Sequence, residues 1–368
     1  FTTILSDVKI NATYNQFQGN PFIEYYVYPE IKFDVDNCLA GLIPIKSDLY
    51  VSPKGSNSND GLTENTPFQT IDFALQRIHS SESEPLTIHL AEGVYSSTNN
   101  GEVFPILLTS YVTIQGAGQD VTILDAEQSG TVVLGDRHEK PILSDVTITG
   151  GYAESTRYGG GITTSNENLT ISRCVILENQ AEEGGGVNCS GGEDNKFIDC
   201  IISNNQAVSG GGLVNRGRNT LFHGCTIRDN VAETGGGIFG PSYDFNLTEC
   251  LIAGNEALYG GGAGFVSSNG TIFTVCTIQE NQALDGGGIF CESSSPNLER
   301  CWIRGNSANR GGAAYGFASS TLRFRNSLIT SNTAKKGAGI YCFFGADFEL
   351  INATIANNAA STQGGGAY

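Results

Sequence analysis

Basic charge is scarce in this chain: 20 Lys and Arg stand against 38 Asp and Glu, a formal net charge of −18. Phosphate binding needs a basic footprint, so nucleic acid is excluded as a partner and an anionic membrane surface is disfavoured. Long apolar runs are missing too. Nothing approaches the roughly 18 to 20 uninterrupted apolar residues of a membrane span, so this segment is not expected to insert directly into a membrane. Met is absent, and Phe1 follows neither an initiator nor a leader pattern, so the sequence is expected to be a processed or trimmed piece. Only 10 Pro are present, and the 48 Gly, about 13% where roughly 7% is ordinary, show no Gly-X-Y period, which excludes collagen. An apolar share of 39% excludes wholesale disorder.

What is present is a repeat. From residue 169 onward the pattern Cys-x-Ile-x-x-Asn-x-Ala-x-x-Gly-Gly-Gly recurs on Asn179, Asn205, Asn230, Asn255, Asn281, Asn306, Asn332 and Asn358, at spacings of 26, 25, 25, 26, 25, 26 and 26 residues. An Ala stands two residues after every one of them and an Ile three residues before, from Ile176 to Ile355. Five residues before the Asn is a small position: Cys174, Cys200, Cys225, Cys250, Cys276, Cys301, Ser327 and Ala353. Three residues earlier is a large apolar one, Ile171, Phe197, Phe222, Leu247, Phe273, Leu298, Phe324 and Leu350. After the glycines comes another apolar column, including Ile162, Val187, Leu213, Ile238 and Ile289. The small position and the Ile are two apart, the spacing that places both on one face of a strand.

A repeat of short strands cannot bury its apolar side alone, but stacking it on copies of itself makes a continuous core. The fold class expected is all-β: a single-stranded right-handed parallel β-helix solenoid of roughly ten or eleven coils, each rising by about 4.8 Å. The Asn should pass amide hydrogen bonds from coil to coil at a sharp corner and take left-handed backbone angles there. A flexible Gly-rich linker predicts no such register, and the Leu-x-x-Leu-x-Leu consensus of a leucine-rich repeat is absent. Looser coils precede the clean repeats. Leu143, Val146, Ile148 and Ala153 match the core columns with Gly151 in the Asn place; Val121 with Ile123, Val112 with Ile114, and Leu86, Ile88 and Leu90 read as earlier strands.

The stretch from Asp48 to Gly61, continuing through Pro67 to Leu75, resembles the N-terminal entry segment of the pectate-lyase-like superfamily of right-handed β-helix proteins. That resemblance implies a first strand, a turn and a short amphipathic helix, here with Ile71, Ala74, Leu75 and Ile78, covering the open end as an N-terminal cap. The Gly-Gly-Gly-Ile and Ile-x-x-Asn-x-Ala pattern is similar to the repeats of the polymorphic outer-membrane-protein family, with Ile here in place of Phe before the Asn and Gly usually in place of Ala. Together the two cover about residues 48 to 368. Three segments are expected: 1–47, a β-rich extension or the end of a preceding domain, with strands between Phe22 and Phe33; 48–85, the entry strand, turn and capping helix; and 86–368, the β-helix. Because the chain stops inside a coil, the β-helix is expected to continue beyond it.

The superfamily holds lyases, hydrolases and inert adhesins, so the resemblance is permissive for function. Its lyases imply Ca²⁺ held by clustered carboxylates with an Arg or Lys base, and its hydrolases imply paired Asp with a nearby His. The position before the Cys column, read as outward, runs Arg173, Asp199, Gly224, Glu249, Val275, Arg300, Asn326 and Asn352, without an adjacent acidic pair. His223 lacks Asp partners and reads as an exposed strand residue. No catalytic set is assigned. Asn57, Asn59 and Asp60, with Gly55 and Gly61 around them, form a plain turn or a Ca²⁺ site, the only cofactor considered. The Cys ladder reads as small apolar filler with free thiols, since Ser327 and Ala353 continue it.

One further column has both an architectural and a functional reading. The residue between Cys and Ile points outward by alternation, yet reads Val175, Ile201, Thr226, Leu251, Thr277, Trp302, Leu328 and Thr354. Strand propensity or cover by a loop explains it, or Val175, Ile201, Leu251, Trp302 and Leu328 form a lateral contact stripe. The expected function is that of an exported bacterial cell-surface protein, extracellular, structural or adhesive and non-catalytic. Its expected partners are other surface proteins, copies of itself or extracellular glycans. The alternative is a polysaccharide lyase or glycoside hydrolase acting on anionic polysaccharide.

Overall fold

The computed structural model describes residues 44–154, 158–241, 245–268 and 270–368. The strands expected between Phe22 and Phe33 therefore lie outside the described residues. The chain winds as a right-handed parallel β-helix. Among the described residues, three long parallel sheets of 12, 11 and 10 strands form its walls, and two three-stranded sheets lie along one corner. About ten full coils at roughly 4.8 Å each make a rod of about 50 Å.

One coil shows how the sequence builds the rest. Thr170–Ser172 lies in the first sheet, Val175–Leu177 in the second, Gln180–Glu183 in a short corner sheet and Val187–Cys189 in the third. Sharp corners separate them, and each carries one left-handed residue: Arg173 (φ 50°), Glu178 (φ 56°) and Gly184 (φ 65°). The next coil repeats this with Asp199, Asn204 and Gly210. Two expectations change here. The position before the Cys is a left-handed corner rather than an outward strand position. The left-handed backbone near the ladder falls on the residue before the Asn, while the Asn itself stays on the ordinary side. The Asn is chosen for its amide, and its neighbour makes the bend.

The expected columns are ladders. Ile176 pairs with Ile202, Ile202 with Ile227 and Ile227 with Ile252 in the second sheet, and Ile171, Phe197, Phe222 and Leu247 run down the first. These side chains, with Val187, Leu213 and Ile238 from the third sheet, fill one continuous core. Phe197 and Phe222 stack at 4.7 Å between ring centres. The glycines after the corner sheet have a steric reason: a Cβ on Gly185 would sit 2.5 Å from the Gln206 carbonyl oxygen, and one on Gly186 2.6 Å from that of Gly212. Successive coils touch backbone to backbone there, and a side chain would part them.

The Asn ladder is complete. From Asn179 to Asn332, each Nδ2 donates to the Oδ1 of the Asn one coil on at 2.9–3.1 Å, and each backbone N–H donates to the same oxygen at 2.9–3.0 Å. The second amide hydrogen goes to the carbonyl of the column Ile one coil back, as from Asn255 to Ile227 at 3.0 Å. Where Gly151 holds the Asn place, its N–H still donates to Asn179 Oδ1 at 2.8 Å.

Upstream, Leu143 pairs with Ile171 and Ile148 with Ile176 as expected, and Leu86 and Ile88 pair with Val112 and Ile114. The coil at 121–125 is out of phase with its reading. Thr122 and Leu124 point inward, and Val121 is exposed. An inward Thr is tolerated because its Oγ1 accepts from the Ala117 N–H at 3.0 Å. In the entry segment, Leu49–Val51 already pairs in register with Ile88–Leu90, so the first sheet begins before residue 86. The helix spans Ile71–Leu75, is capped by Thr70 Oγ1, and buries Ile71 and Ala74 in the core.

Replacing Asn255 by Ala removes the acceptor for two donors of Asn230 and two donors to Ile227 and Asn281. At about 1–3 kcal/mol for each buried group left unpaired, the substitution should lower stability by roughly 3 kcal/mol in urea unfolding. Glu256→Ala, at the exposed residue next to Asn255, should change it by less than about 0.5 kcal/mol.

Candidate functional site

With the interior given over to ladders, chemistry is left to the outer walls, the turns and the thiols. The Cys column is more than filler. Each Sγ from Cys174 to Cys301 lies 3.3–3.8 Å from the carbonyl oxygen of the large apolar residue one coil back, and 3.3–3.5 Å from that of the residue two before it. Ser327 Oγ keeps both contacts, at 3.3 and 2.8 Å. In seven of its eight repeats the column thus carries a small side chain with a donor hydrogen, which Cys and Ser share, and Ala353 fills the last by size alone. All nine cysteines of the described residues are free thiols. Burial pushes the Cys189 thiol up to about 12 and that of Cys342 to about 11, so neither is a ready nucleophile at neutral pH.

The entry turn uses its polar side chains internally. Asn57 Oδ1 accepts from the backbone N–H of Gln69 and Thr70, at 2.9 and 3.3 Å. Asn59 Nδ2 donates to the Pro67 carbonyl at 2.8 Å. Asp60 Oδ1 accepts from Thr66 Oγ1 at 2.6 Å and Leu62 N–H at 3.1 Å, bonds that hold its carboxyl below the usual range. These contacts account for an Asx-rich turn. Among the described residues, no three His, Cys, Asp or Glu side chains converge as a metal-ligand group. His223 lies on the first sheet in register with Ile198 and Thr248, as a strand residue. Glu102, 2% exposed, accepts from the N–H groups of Ile71 and Asp72 at 2.8 and 3.0 Å, and burial raises its carboxyl. Its role there is to hold the helix.

The stripe is real geometry. Val175, Ile201, Thr226, Leu251, Thr277, Trp302, Leu328 and Thr354 pair in unbroken register along the second sheet and point outward. Trp302 is 39% exposed, and the Arg304 guanidinium lies 3.8 Å from its ring centre. The other outward column reads Leu177, Ser203, Arg228, Ala253, Gln279, Arg304, Thr330 and Ala356. Across eight strands this wall carries two Arg and no carboxylate, in a chain whose net charge is −18. Acidic groups stand at its edges instead, on corner residues such as Asp199 and Glu249 on one side and Glu178, Asp229 and Glu280 on the other.

A second surface was not singled out by the sequence reading. On the outer face of the third sheet, Phe290, Tyr315, Tyr341 and Tyr368 stack with ring centres 5.2–5.4 Å apart. Beside them lie Phe317, Phe343 and Phe344. The signal was available: Phe290, Tyr315 and Tyr341 stand one place, and Phe317 and Phe343 three places, after the apolar column that follows the glycines, and Phe344 comes next to Phe343. Along the facing corner, Arg310 makes a two-point ion pair with Asp285 at 2.7 and 2.5 Å, which raises the guanidinium's affinity for its proton, and its Cζ lies 5.2 Å from the Tyr315 ring centre.

Two family models match the chain. The one described as "Protein of unknown function (DUF1565)" matches residues 53–258, and the one described as "Right handed beta helix region" matches residues 232–360. No curated protein matches. Among solved structures the chain is similar to the pectate lyase Pel9A, at 13% identity and a TM-score of 0.53, over 85% of this chain and 80% of that one. It is also similar to the A-module of the Azotobacter vinelandii mannuronan C-5 epimerase AlgE6, at 13% identity and a TM-score of 0.42, over 77% and 89% of the two chains. A third is pectin methylesterase from carrot, at 15% identity and a TM-score of 0.39, over 88% of each chain. At these identities the likeness is one of fold.

Alkylation should report the thiols directly. In the native protein at pH 8, the cysteines from Cys174 to Cys301 should resist iodoacetamide. In urea without reductant they should all react, as read by mass; cysteines that stay unlabelled in urea would mean disulfides.

Proposed function

We propose that this chain, which belongs to the DUF1565 family, is an exported cell-surface β-helix with a structural or adhesive role, associating laterally through the outer wall of its second sheet. The single observation behind this reading is the absence of carboxylates from that wall. A solvated face in so acidic a chain would be expected to carry its share of Asp and Glu. Here they are confined to the corners, which frame a flat strip of β-branched and apolar side chains with Trp302 in it. Flat strips rimmed by polar residues suit contact with another surface.

Size sets the strength of that contact. Eight strands at roughly 4.8 Å and three residues of about 3.3 Å give a strip of roughly 35 by 10 Å, about 350 Å² per partner, well below the roughly 800 Å² of a standard interface. One strip alone should hold a partner weakly, and many rods side by side would add up. Such a role fits a stiff rod whose coils repeat, and its negative charge keeps isolated rods soluble until they are aligned.

The partner favoured is a second copy, because the strip is the same on every rod and can face itself around a two-fold axis. Sedimentation velocity at high micromolar concentration should show reversible association of the native chain, and Leu251→Glu with Trp302→Glu should abolish it while leaving the circular-dichroism spectrum unchanged. A native chain that stays monomeric, or a double variant that associates as before, would contradict the reading.

A further inference from the structure

The aromatic face of the third sheet is separate from the strip, and it lies where the charge of the chain reverses. Residues 301–346 contain Arg304, Arg310, Arg323, Arg325, Lys335 and Lys336 and no Asp or Glu, although acids outnumber bases almost two to one in the whole chain. Two successive coils therefore form a basic belt around an acidic rod. Some of that charge is used: Arg310 pairs with Asp285, and Arg323 and Arg325 lie 3.3 and 3.8 Å from the Glu349 carboxylate. Lys335 and Lys336 have no carboxylate within ion-pair distance among the described residues.

Within the belt the third sheet presents rings at graded depth. Tyr315 and Tyr341 are 3% and 5% exposed and form the floor, beside the row that carries Arg310 and Lys336. On the other side Phe317 lies 6.3 Å from Phe343 and 5.7 Å from Phe344, ring centre to ring centre. Phe343 is 49% exposed and Phe344 71%. Phe344 takes the left-handed corner, at φ 56°, that Ser267, Ser293 and Ala318 take in the preceding coils, where a bulky residue is uncommon. The corner itself belongs to the fold and takes Ser or Ala in the earlier coils, so the backbone does not call for Phe at 344, and two adjacent exposed Phe serve neither core packing nor solubility. Lys336 Nζ lies 5.9 Å from the Tyr368 ring centre and has no carboxylate partner among the described residues. Exposed rings beside such lysines suit a ligand with an apolar face and an anionic edge, and a sugar ring bearing a carboxylate has both.

We propose that the face formed by Tyr315, Tyr341, Phe317, Phe343 and Phe344, with Lys335 and Lys336 on the strand along its edge, binds an acidic glycan: its sugar rings lie on the phenylalanines and its carboxylates reach the two lysines. This deepens the adhesive reading by naming a partner class, and rests on that reading only for its biological setting. The binding is charge-assisted, so salt weakens it.

The test uses the whole chain in affinity electrophoresis with hyaluronan and alginate as carboxylated probes and dextran as the neutral one. The native chain should be retarded by at least one carboxylated glycan and not by dextran. Phe343→Ala with Phe344→Ala should weaken retardation at least tenfold, as should Lys335→Glu with Lys336→Glu, each with an unchanged circular-dichroism spectrum. Absence of retardation by both carboxylated glycans, equal retardation by dextran, or indifference to both variants would overturn the proposal. So would a change in sedimentation on removing the phenylalanines, which would make the face a contact between copies. Because Leu251 and Trp302 are untouched, failure here leaves lateral association to stand or fall on its own test.

Discussion

One carboxamide per coil holds this molecule in register. Each ladder Asn fixes a sharp corner by donating twice and accepting twice, and every one of those bonds crosses to an adjacent coil. A shift of one residue in any coil would leave four buried polar groups unpaired and turn the apolar columns outward, so the ladder sets both height and phase. The Ile, Cys and Leu or Phe ladders then follow, because the same side chain arrives at the same place once per coil. The left-handed residue before each Asn carries a backbone cost of roughly 1–2 kcal/mol where it is not Gly, which the buried amide network offsets.

Because the interior is specified so fully, the outer walls are free to differ from one another. The second sheet sheds its carboxylates over eight strands. The third sheet changes character along its length, from Thr163 and Asn188 near one end to Tyr315 and Tyr341 in the basic belt. A periodic scaffold turns such drift into long surfaces, since residues 25 or 26 apart in sequence stand one strand spacing apart in space.

Much of this was legible in the sequence because ladders demand identity. Asn, Ala and Ile recur without exception since each meets its own copy above and below. Conformation was less legible than position: the left-handed angle belongs to Glu178, Asn204 and Asp229, which share no side-chain type, so only the backbone reveals them. At Thr122 and Leu124 the phase escaped because an inward Thr satisfied by a local N–H looks like an outward polar residue. The aromatic face went unread for a different reason. Its residues lie outside the core columns, and Gly264 interrupts the series between Phe239 and Phe290, so no consensus marks it. The entry turn was legible as a turn, and its hydrogen bonds identify the partners that composition alone could not.

The claim that adjacent coils are locked through their asparagines is tested most directly by double-mutant cycles. Asn230 donates two hydrogen bonds to Asn255 Oδ1, whereas Asn230 and Asn332 are four coils apart, roughly 19 Å at the strand spacing. Urea unfolding of the Ala variants should give a coupling energy of about 1–2 kcal/mol for the first pair and nothing beyond about 0.5 kcal/mol for the second. Additive effects for the adjacent pair, or equal coupling for both, would contradict the account.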